Sequence, residues 1–386
     1  MSKSNANEPP EKHTPQLSLS SLPDDIVLRC LVGVPRIYHL NVSWVSKHLR
    51  TLVRSPELTV LRSTLPNSCL NVCLEENLDF DHSFFHWFTL NKTEYGFVLN
   101  PTPIPSHPSY GSSTVAVLGS SKIFFIGGPR GEPSTDLWIL DTRSGTITQG
   151  PSMTVPRVAR RAAVGVIDGK IHVMGGRGFN EEIQVEVFDP NSETWELAGV
   201  EKVRKISRSS VSVERKVYMV EYEETNVYNP RKGEGEPRMV RFVSEMISEG
   251  TGRKKKFTEM AHSVCVVEDV LFGFFTGKGL MWFDTKLNVW RRLLVRDGKQ
   301  LVISRVKGMS EYDGRLVVFN YIIPTHGLWG VNEDDIMAAT KNVQCILVSL
   351  DRAGDKICGT IVWSGVVATV PLWFNVQHCL AVPSDY

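Results

Sequence analysis

Apolar positions along the chain fall into two regimes, and the first, over roughly residues 22 to 58, has helical spacing. Leu22-Pro23-Asp24-Asp25 opens a helix: proline at the first helical position gives up an N–H that would have no partner there, and two carboxylates suit the positive end of the helix dipole. Ile26, Val27, Cys30, Leu31 and Val34 then make one apolar face, which Pro35 stops. A second stretch, about Ile37 to Arg54, carries Leu49, Leu52 and Val53 as its stripe, with Lys47, His48 and Arg50 toward water, and Ser55-Pro56 ends it. The pattern predicts about three short helices over residues 21–66, a unit too small to hold a core unless it packs on something else. Residues 1–20, rich in Ser, Pro, Asn and Lys without apolar periodicity, are expected to form a flexible arm.

From about residue 68 the spacing becomes strand-like, with short β-branched and aromatic runs bounded by Gly, Pro, Asn and Asp. The runs repeat. Lys122-Ile-Phe-Phe-Ile-Gly-Gly128 matches Lys170-Ile-His-Val-Met-Gly-Gly176, and Leu137-Trp-Ile-Leu-Asp141 matches Val185-Glu-Val-Phe-Asp189, both pairs offset by 48 residues. The unit is an apolar strand, a turn often containing Asp-Gly, a second strand ending at paired glycines, a third ending in Asp and a fourth often holding Trp. That is one four-stranded propeller blade.

Weaker copies follow at Val211–Val220 with Val227–Pro230, at Ser263–Phe275 with Met281–Asp284 and Trp290, and at Tyr312–Phe319 with Cys345–Asp351 and Thr360–Trp363. A further blade can be assembled from both ends: Leu70–Leu74, His86–Leu90 and Tyr95–Leu99 supply three strands, and Val376–Val382 the fourth, closing a ring. The count favoured is six blades over residues 67–386, with five or seven as the alternatives.

Lys plus Arg is 43 against 42 Asp plus Glu, so no global field draws the chain to nucleic acid or anionic lipid, and neither partner is implied. No apolar run reaches the roughly 18 residues a membrane helix needs, and residues 1–20 lack a secretory apolar stretch, so the expected location is the cytoplasm or nucleus. Seven cysteines without framework spacing read as reduced core residues.

Leu22-Pro23-Asp24-Asp25-Ile26, Leu40, Val45-Ser46-Lys47, Arg50, Leu52-Val53 and Ser55-Pro56-Glu57-Leu58 resemble an F-box, and the downstream units resemble kelch repeats. Together they resemble the F-box/kelch-repeat family of plants over roughly residues 20–382. The resemblance implies a small all-α module before a kelch-type β-propeller, with the module docking on a Skp-family adaptor that bridges to cullin and RING subunits. The propeller would hold the protein to be ubiquitinated. Leu22, Pro23, Ile26, Leu31, Val34, Pro35, Leu40, Val45, Lys47, Leu49 and Leu52 match the family's adaptor-binding and helix-packing positions, some of them necessarily internal. The chain departs from the family pattern at Cys30 and Trp44, in having Ile147 for a fourth-strand Trp, and in having Tyr222-Glu223 for paired glycines.

Other constellations carry less. Cys69 and Cys73 with His82 and His86 superficially suggest a zinc site, but residues four apart on a strand are separated by roughly 13 Å, too far to share one ion, so core packing is the expectation. Gly175-Gly176-Arg177-Gly178 lacks a third dinucleotide-type glycine and a following helix, and reads as a tight turn. Arg253-Lys254-Lys255-Lys256 reads as a solvated loop, with a nuclear-import signal as the alternative. No catalytic motif is present, no cofactor or metal is implied, and the expectation is a non-enzyme.

Arg130, Arg157, Arg160, Arg177 and Phe179 are placed on one face of the propeller, where they could grip an acidic or phosphorylated segment; scattered solubilising charge is the alternative. The insertion from Tyr321 to Asn342, with Trp329 and Glu333-Asp334-Asp335, is the longest within a blade and a candidate for binding, with a disordered elaboration as the alternative. Two other functions stay open: an interaction scaffold with a degenerate F-box, and a metal-dependent enzyme built on the propeller.

Overall fold

The structure is a computed structural model that describes residues 22–32, 34, 39–62, 68–77, 83–104, 114–119, 121–128, 133–142, 144–158, 162–176, 183–201, 209–232, 236, 238–248, 251–323, 339–354 and 356–383. The chain divides between residues 65 and 66 into two compact units.

The first unit has four short helices among the described residues: α1 (Asp24–Val32), α2 (His39–Val45), α3 (Lys47–Val53) and α4 (Pro56–Arg62). The single stretch expected to Arg54 is broken at Ser46. That residue is extended (φ −156°, ψ 159°) and its hydroxyl accepts from the Leu49 N–H, so it caps a new helix. Pro56 likewise opens α4 rather than only ending α3, because Ser55 Oγ accepts from the Leu58 N–H at 3.2 Å. Val27, Leu28, Leu31, Leu49, Leu52 and Leu58 form the buried centre of this unit. Ile26 and Cys30, expected on that face, are exposed instead, and Leu28 takes the inward position.

The second unit is a six-bladed β-propeller. Blade 1 has the order β26-β1-β2-β3, with β1 (Ser68–Asn77), β2 (Ser83–Thr93), β3 (Gly96–Pro101) and β26 (Phe374–Pro383). Blade 2 is β4 (Thr114–Leu118), β5 (Lys122–Ile126), β6 (Leu137–Asp141) and β7 (Thr146–Gln149). Blade 3 is β8 (Ala162–Ile167), β9 (Lys170–Gly175), β10 (Ile183–Asp189) and β11 (Thr194–Glu201). Blade 4 is β12 (Ser210–Val213), β13 (Lys216–Val220), β14 (Glu224–Tyr228) and β15 (Met239–Val243).

Blade 5 has β18 (Ala261–Val267), β19 (Val270–Phe275), β20 (Gly279–Asp284) and β21 (Val289–Arg292). A hairpin of β16 (Glu245–Ile247) and β17 (Lys254–Lys256) is added at its outer edge. Blade 6 is β22 (Val306–Tyr312), β23 (Arg315–Ile322), β24 (Thr340–Ala353) and β25 (Lys356–Pro371). The innermost strands β26, β4, β8, β12, β18 and β22 each neighbour the next, and β22 neighbours β26. The expected closure by residues 376–382 is present, with β26 as the inner strand of its blade and Asn71 of β1 paired to Leu380.

The core lies between blades. Six buried apolar clusters fill the six interfaces between adjacent blades. Successive residues of one strand serve opposite interfaces: Ile123 and Phe125 of β5 pack toward blade 1, Phe124 and Ile126 toward blade 3. Strands covered on both faces read as unbroken apolar runs, which is why Ile-Phe-Phe-Ile and Leu-Val-Val-Phe lack polar alternation.

The repeated polar positions are turn devices. The carboxylates of Asp189 and Asp284 at the ends of third strands accept backbone N–H bonds from Asn191 at 2.9 Å and from Lys286 and Leu287 at 3.1 Å, and the amide oxygen of Asn229 does the same in blade 4. The first-to-second strand turns place both central residues at positive φ, through Asp168-Gly169 and Asp313-Gly314 but also through Glu214-Arg215 and Glu268-Asp269. The last two pairs lack glycine, so those copies of the repeat are harder to see in sequence. Lys254–Lys256, expected as a loop, is an edge strand: Lys256 reaches Glu223 at 2.8 Å and Lys254 reaches Glu245 at 3.4 Å. Lysines on an edge discourage pairing with another chain.

Arg157 is a correction to the face proposed for it, because it is wholly buried. Its guanidinium meets Glu186 at 2.8 Å and donates to the carbonyls of Gly175 and Gln184. Glu186 also accepts from the Thr154 and Val155 N–H groups, and the Arg157 backbone exchanges bonds with Ser134, so one ion pair ties the approach to blade 3 onto blade 2. Gly176 (φ +86°) is needed beside it, since a Cβ there would lie 3.0 Å from the Arg157 Cβ and 2.9 Å from that of Ala162.

His172 of β9 is buried against the Tyr228 ring of blade 4; burial, with Lys170 nearby, pushes its pKa down to about 4, against a smaller upward pull from Asp168.

Two outcomes are expected. Glu186→Ala should cost about 3–5 kcal/mol in denaturant unfolding by stranding a buried cation, and Arg157→Met/Glu186→Leu should recover part of it; a loss under about 1 kcal/mol for the single change would contradict the pair's role. Folded His172 refuses a proton until about pH 4 while the unfolded chain takes one near 6.5, so stability should fall as pH drops through that window. At its limit the loss is about 3 kcal/mol, and His172→Phe should flatten the slope between pH 6.5 and 4 in urea melts.

Candidate docking surfaces

The helical unit leaves large apolar side chains in water. Trp44 is 78% exposed, Val45 73%, Val60 66% and Ile26 39%. Trp44 and Val45 end the seven-residue helix α2, whose stop at Ser46 turns them out instead of carrying them into a longer amphipathic helix. The stability of the unit comes from a different stripe. Leu31, Leu49 and Leu52, predicted among the adaptor-facing or packing positions, are buried in its centre and serve packing.

Of the remaining predicted positions, Leu22 packs partly against that centre and Val34 is half-buried, while Pro23, Ile26, Val45 and Lys47 are exposed. Pro35 lies outside the described residues, and Leu40 is described only as part of α2. His48 pairs with Asp24 at 2.9 Å and Arg50 donates to the Ser43 carbonyl at 3.1 Å, which tie α3 to α1 and α2. Sequence reasoning noted Trp44 only as a departure and passed over Val60. The signal available was a tryptophan placed just before a Ser that caps the next helix.

On the propeller, Arg130, Arg160, Arg177 and Phe179 lie outside the described residues, as do Trp329 and Glu333-Asp334-Asp335 of the insertion. Arg157 is internal, so nothing described brings the five predicted residues together. The strands flanking the insertion are described: Ile322 of β23 pairs with Asn342 of β24. Tyr321, Lys341 and, from the neighbouring strand, Lys307 gather at that end of blade 6.

The candidate zinc set is dispersed. Cys73 is buried beside Trp87 and Phe125, with its thiol pKa raised by burial, and His86 instead bonds Glu76 at 2.7 Å. His82 lies outside the described residues. All seven cysteines are free thiols; Cys30 is exposed rather than in the core.

Comparison with known proteins is consistent across both units. Residues 19–61 match the F-box domain family, and residues 87–368 match the family described as FKB95, Kelch-repeats domain. A putative F-box/kelch-repeat protein of Arabidopsis thaliana is 42% identical over 388 residues, covering 95% of this chain and 98% of that protein. A second F-box/kelch-repeat protein of the same plant is 36% identical over 403 residues, covering 98% of this chain and 99% of its own length. A third is 33% identical, covering 95% and 94%. With helices that leave apolar residues exposed, a closed six-bladed ring, and both family matches in register with them, the chain belongs to the F-box/kelch-repeat family.

Proposed function

We propose that the chain is the client-recognition subunit of an SCF-type ubiquitin ligase, its helical unit engaging a Skp-family adaptor and its propeller holding the protein to be ubiquitinated. The observation that carries this reading is the exposure of Trp44 and Val45 on a unit whose own core is already filled by Leu28, Leu31, Leu49 and Leu52. Burying a tryptophan of roughly 200 Å² at about 25 cal/mol per Å² is worth roughly 4 kcal/mol at this exposure before ordering costs, enough to anchor an interface. Ile26 and Lys47 would contribute at its margins, and Leu22 and Pro23 would hold the start of α1 in place. Leu31, Leu49 and Leu52 would act on binding only through the fold.

The reading includes no chemistry of its own: cullin and RING subunits reached through the adaptor would direct transfer of ubiquitin. Work of this kind belongs in the cytosol or nucleus, and no helix of the described residues is long and apolar enough to cross a membrane.

Capture of a purified Skp-family adaptor tests the proposal. Trp44→Ala/Val45→Ala should weaken capture by about 30-fold or more while leaving the unfolding midpoint of the helical unit nearly unchanged. Leu31→Ala should lose capture together with helical signal. Undiminished capture by the double variant, or no capture by the unaltered chain, would remove the reading.

A further inference from the structure

The ends of four strands meet at the side of the propeller where its inner strands begin. Lys307 is the second residue of β22, Tyr321 the next-to-last of β23, Lys341 the second of β24 and Asn375 the second of β26. Two ammonium groups share one aromatic ring there, Lys341 Nζ at 3.9 Å and Lys307 Nζ at 5.8 Å from the Tyr321 centroid. The Tyr321 hydroxyl accepts the Val376 N–H at 2.6 Å, which fixes the ring.

Lys341 is only 4% exposed, yet no described carboxylate partners it. Its ammonium gives one bond to the Leu372 carbonyl at 2.7 Å and a long one, 3.5 Å, to Asn375 Oδ1. A third donor has no acceptor among the described residues. Lys307 is exposed and likewise lacks an acid among the described residues, and the two positive charges repel.

Burial and Lys307 push the Lys341 pKa down to about 8, as expected for a cation held in a site that lacks its counter-charge. The contrast within the molecule is Arg157, wholly buried but paired with Glu186. A buried lysine without a counter-charge carries a desolvation cost that an apolar side chain of its size would not, so it does not contribute to stability through its charge. Here the second lysine, the fixed ring and the spare donor together make a receptor for negative charge.

We propose that Lys307, Tyr321 and Lys341 form a binding site for an anionic group, a phosphate or carboxylate, carried on a protein that docks at this end of the propeller. The anion bridges the two ammonium groups, takes the spare donor of Lys341 and removes their mutual repulsion. Only the last step, that a client protein carries the anion, rests on the function proposed above. The site is on the propeller and adaptor capture tests the helices, so either can fail alone.

The full chain, labelled with 13C at lysine Cε, is titrated by NMR with inorganic phosphate and separately with acetate, at constant ionic strength set with chloride. A saturable shift of Lys341 and Lys307, with the Lys341 titration midpoint moving upward, is expected, while exposed Lys92 stays unmoved. Lys341→Met should keep or raise the unfolding midpoint and weaken phosphate binding by about tenfold or more, as should Lys307→Met. A response to phosphate alone identifies a phosphorylated partner, and a response to both anions an acidic one; each supports the site. No saturable response, an equal response at Lys92, or unchanged affinity in both variants would overturn it. So would a response that appears only after Glu333, Asp334 and Asp335 are neutralised, since the chain's own acids would then be filling the site.

Discussion

Each sheet of the propeller is covered on both faces by its neighbours, and this mutual covering is the constraint from which the rest of the structure follows. A blade such as β4–β7 has no interior of its own; its apolar residues are buried only because blades 1 and 3 stand on either side. The interface between blades 6 and 1 alone buries fourteen apolar side chains, each worth roughly 2 kcal/mol gross before ordering costs. That interface exists only if the last strand returns to the first blade. Ring closure by β26 is therefore a condition of stability for all six blades, and close packing enforces it: a Cβ at Gly308 of β22 would lie 2.9 Å from Val376 of β26.

A rigid ring built this way has little tolerance for uncompensated charge inside, which makes the two buried cations among the described residues informative when set side by side. Arg157 gives both terminal nitrogens of its guanidinium to a carboxylate and backbone carbonyls of one neighbouring blade, so it works as a clamp that sets how blade 3 meets blade 2. Lys341 is enclosed to a similar degree and meets an aromatic face, a carbonyl and another cation. The first arrangement holds its counter-charge in the free chain. The second gains one when a negative group arrives.

Much of the fold was legible because the repeat is written in residues that have local mechanical jobs. Asp189 and Asp284 hold turns, Gly176 admits Arg157, and unbroken apolar runs mark strands covered on both sides. Legibility failed where the same backbone was made from other residues. Glu214-Arg215 and Glu268-Asp269 adopt the left-handed turn without glycine, and Glu223, in place of a paired glycine, sits at φ +65°. Lys254–Lys256 looks like a loop by composition and is held in a strand by Met246 and its neighbours. The candidate sites were less legible still. Helical spacing pointed to Cys30 and Ile26 as inward, but whether position 26 or 28 faces the core depends on where α4 packs on α1, which no local pattern encodes. Arg157 looked like a surface arginine because it lies between strands and its partner, Glu186 of β10, is 29 residues away.

The two units also differ in what they leave unfinished. In the propeller the apolar runs of the inner strands meet a neighbour on each side, and exposed apolar residues such as Ile361, Val362 and Val366 are left to the outermost strand of blade 6. The helical unit has no such symmetry. Its four helices have nine, seven, seven and seven residues, about two turns each, and a helix of two turns buries one stripe against its neighbours and has no second layer to receive the rest. Trp44 and Val45 are what that shortage leaves over. The cap at Ser46 ends α2 at these two residues and starts α3, so the local choice that breaks the helix is also the one that leaves its last two apolar side chains in water.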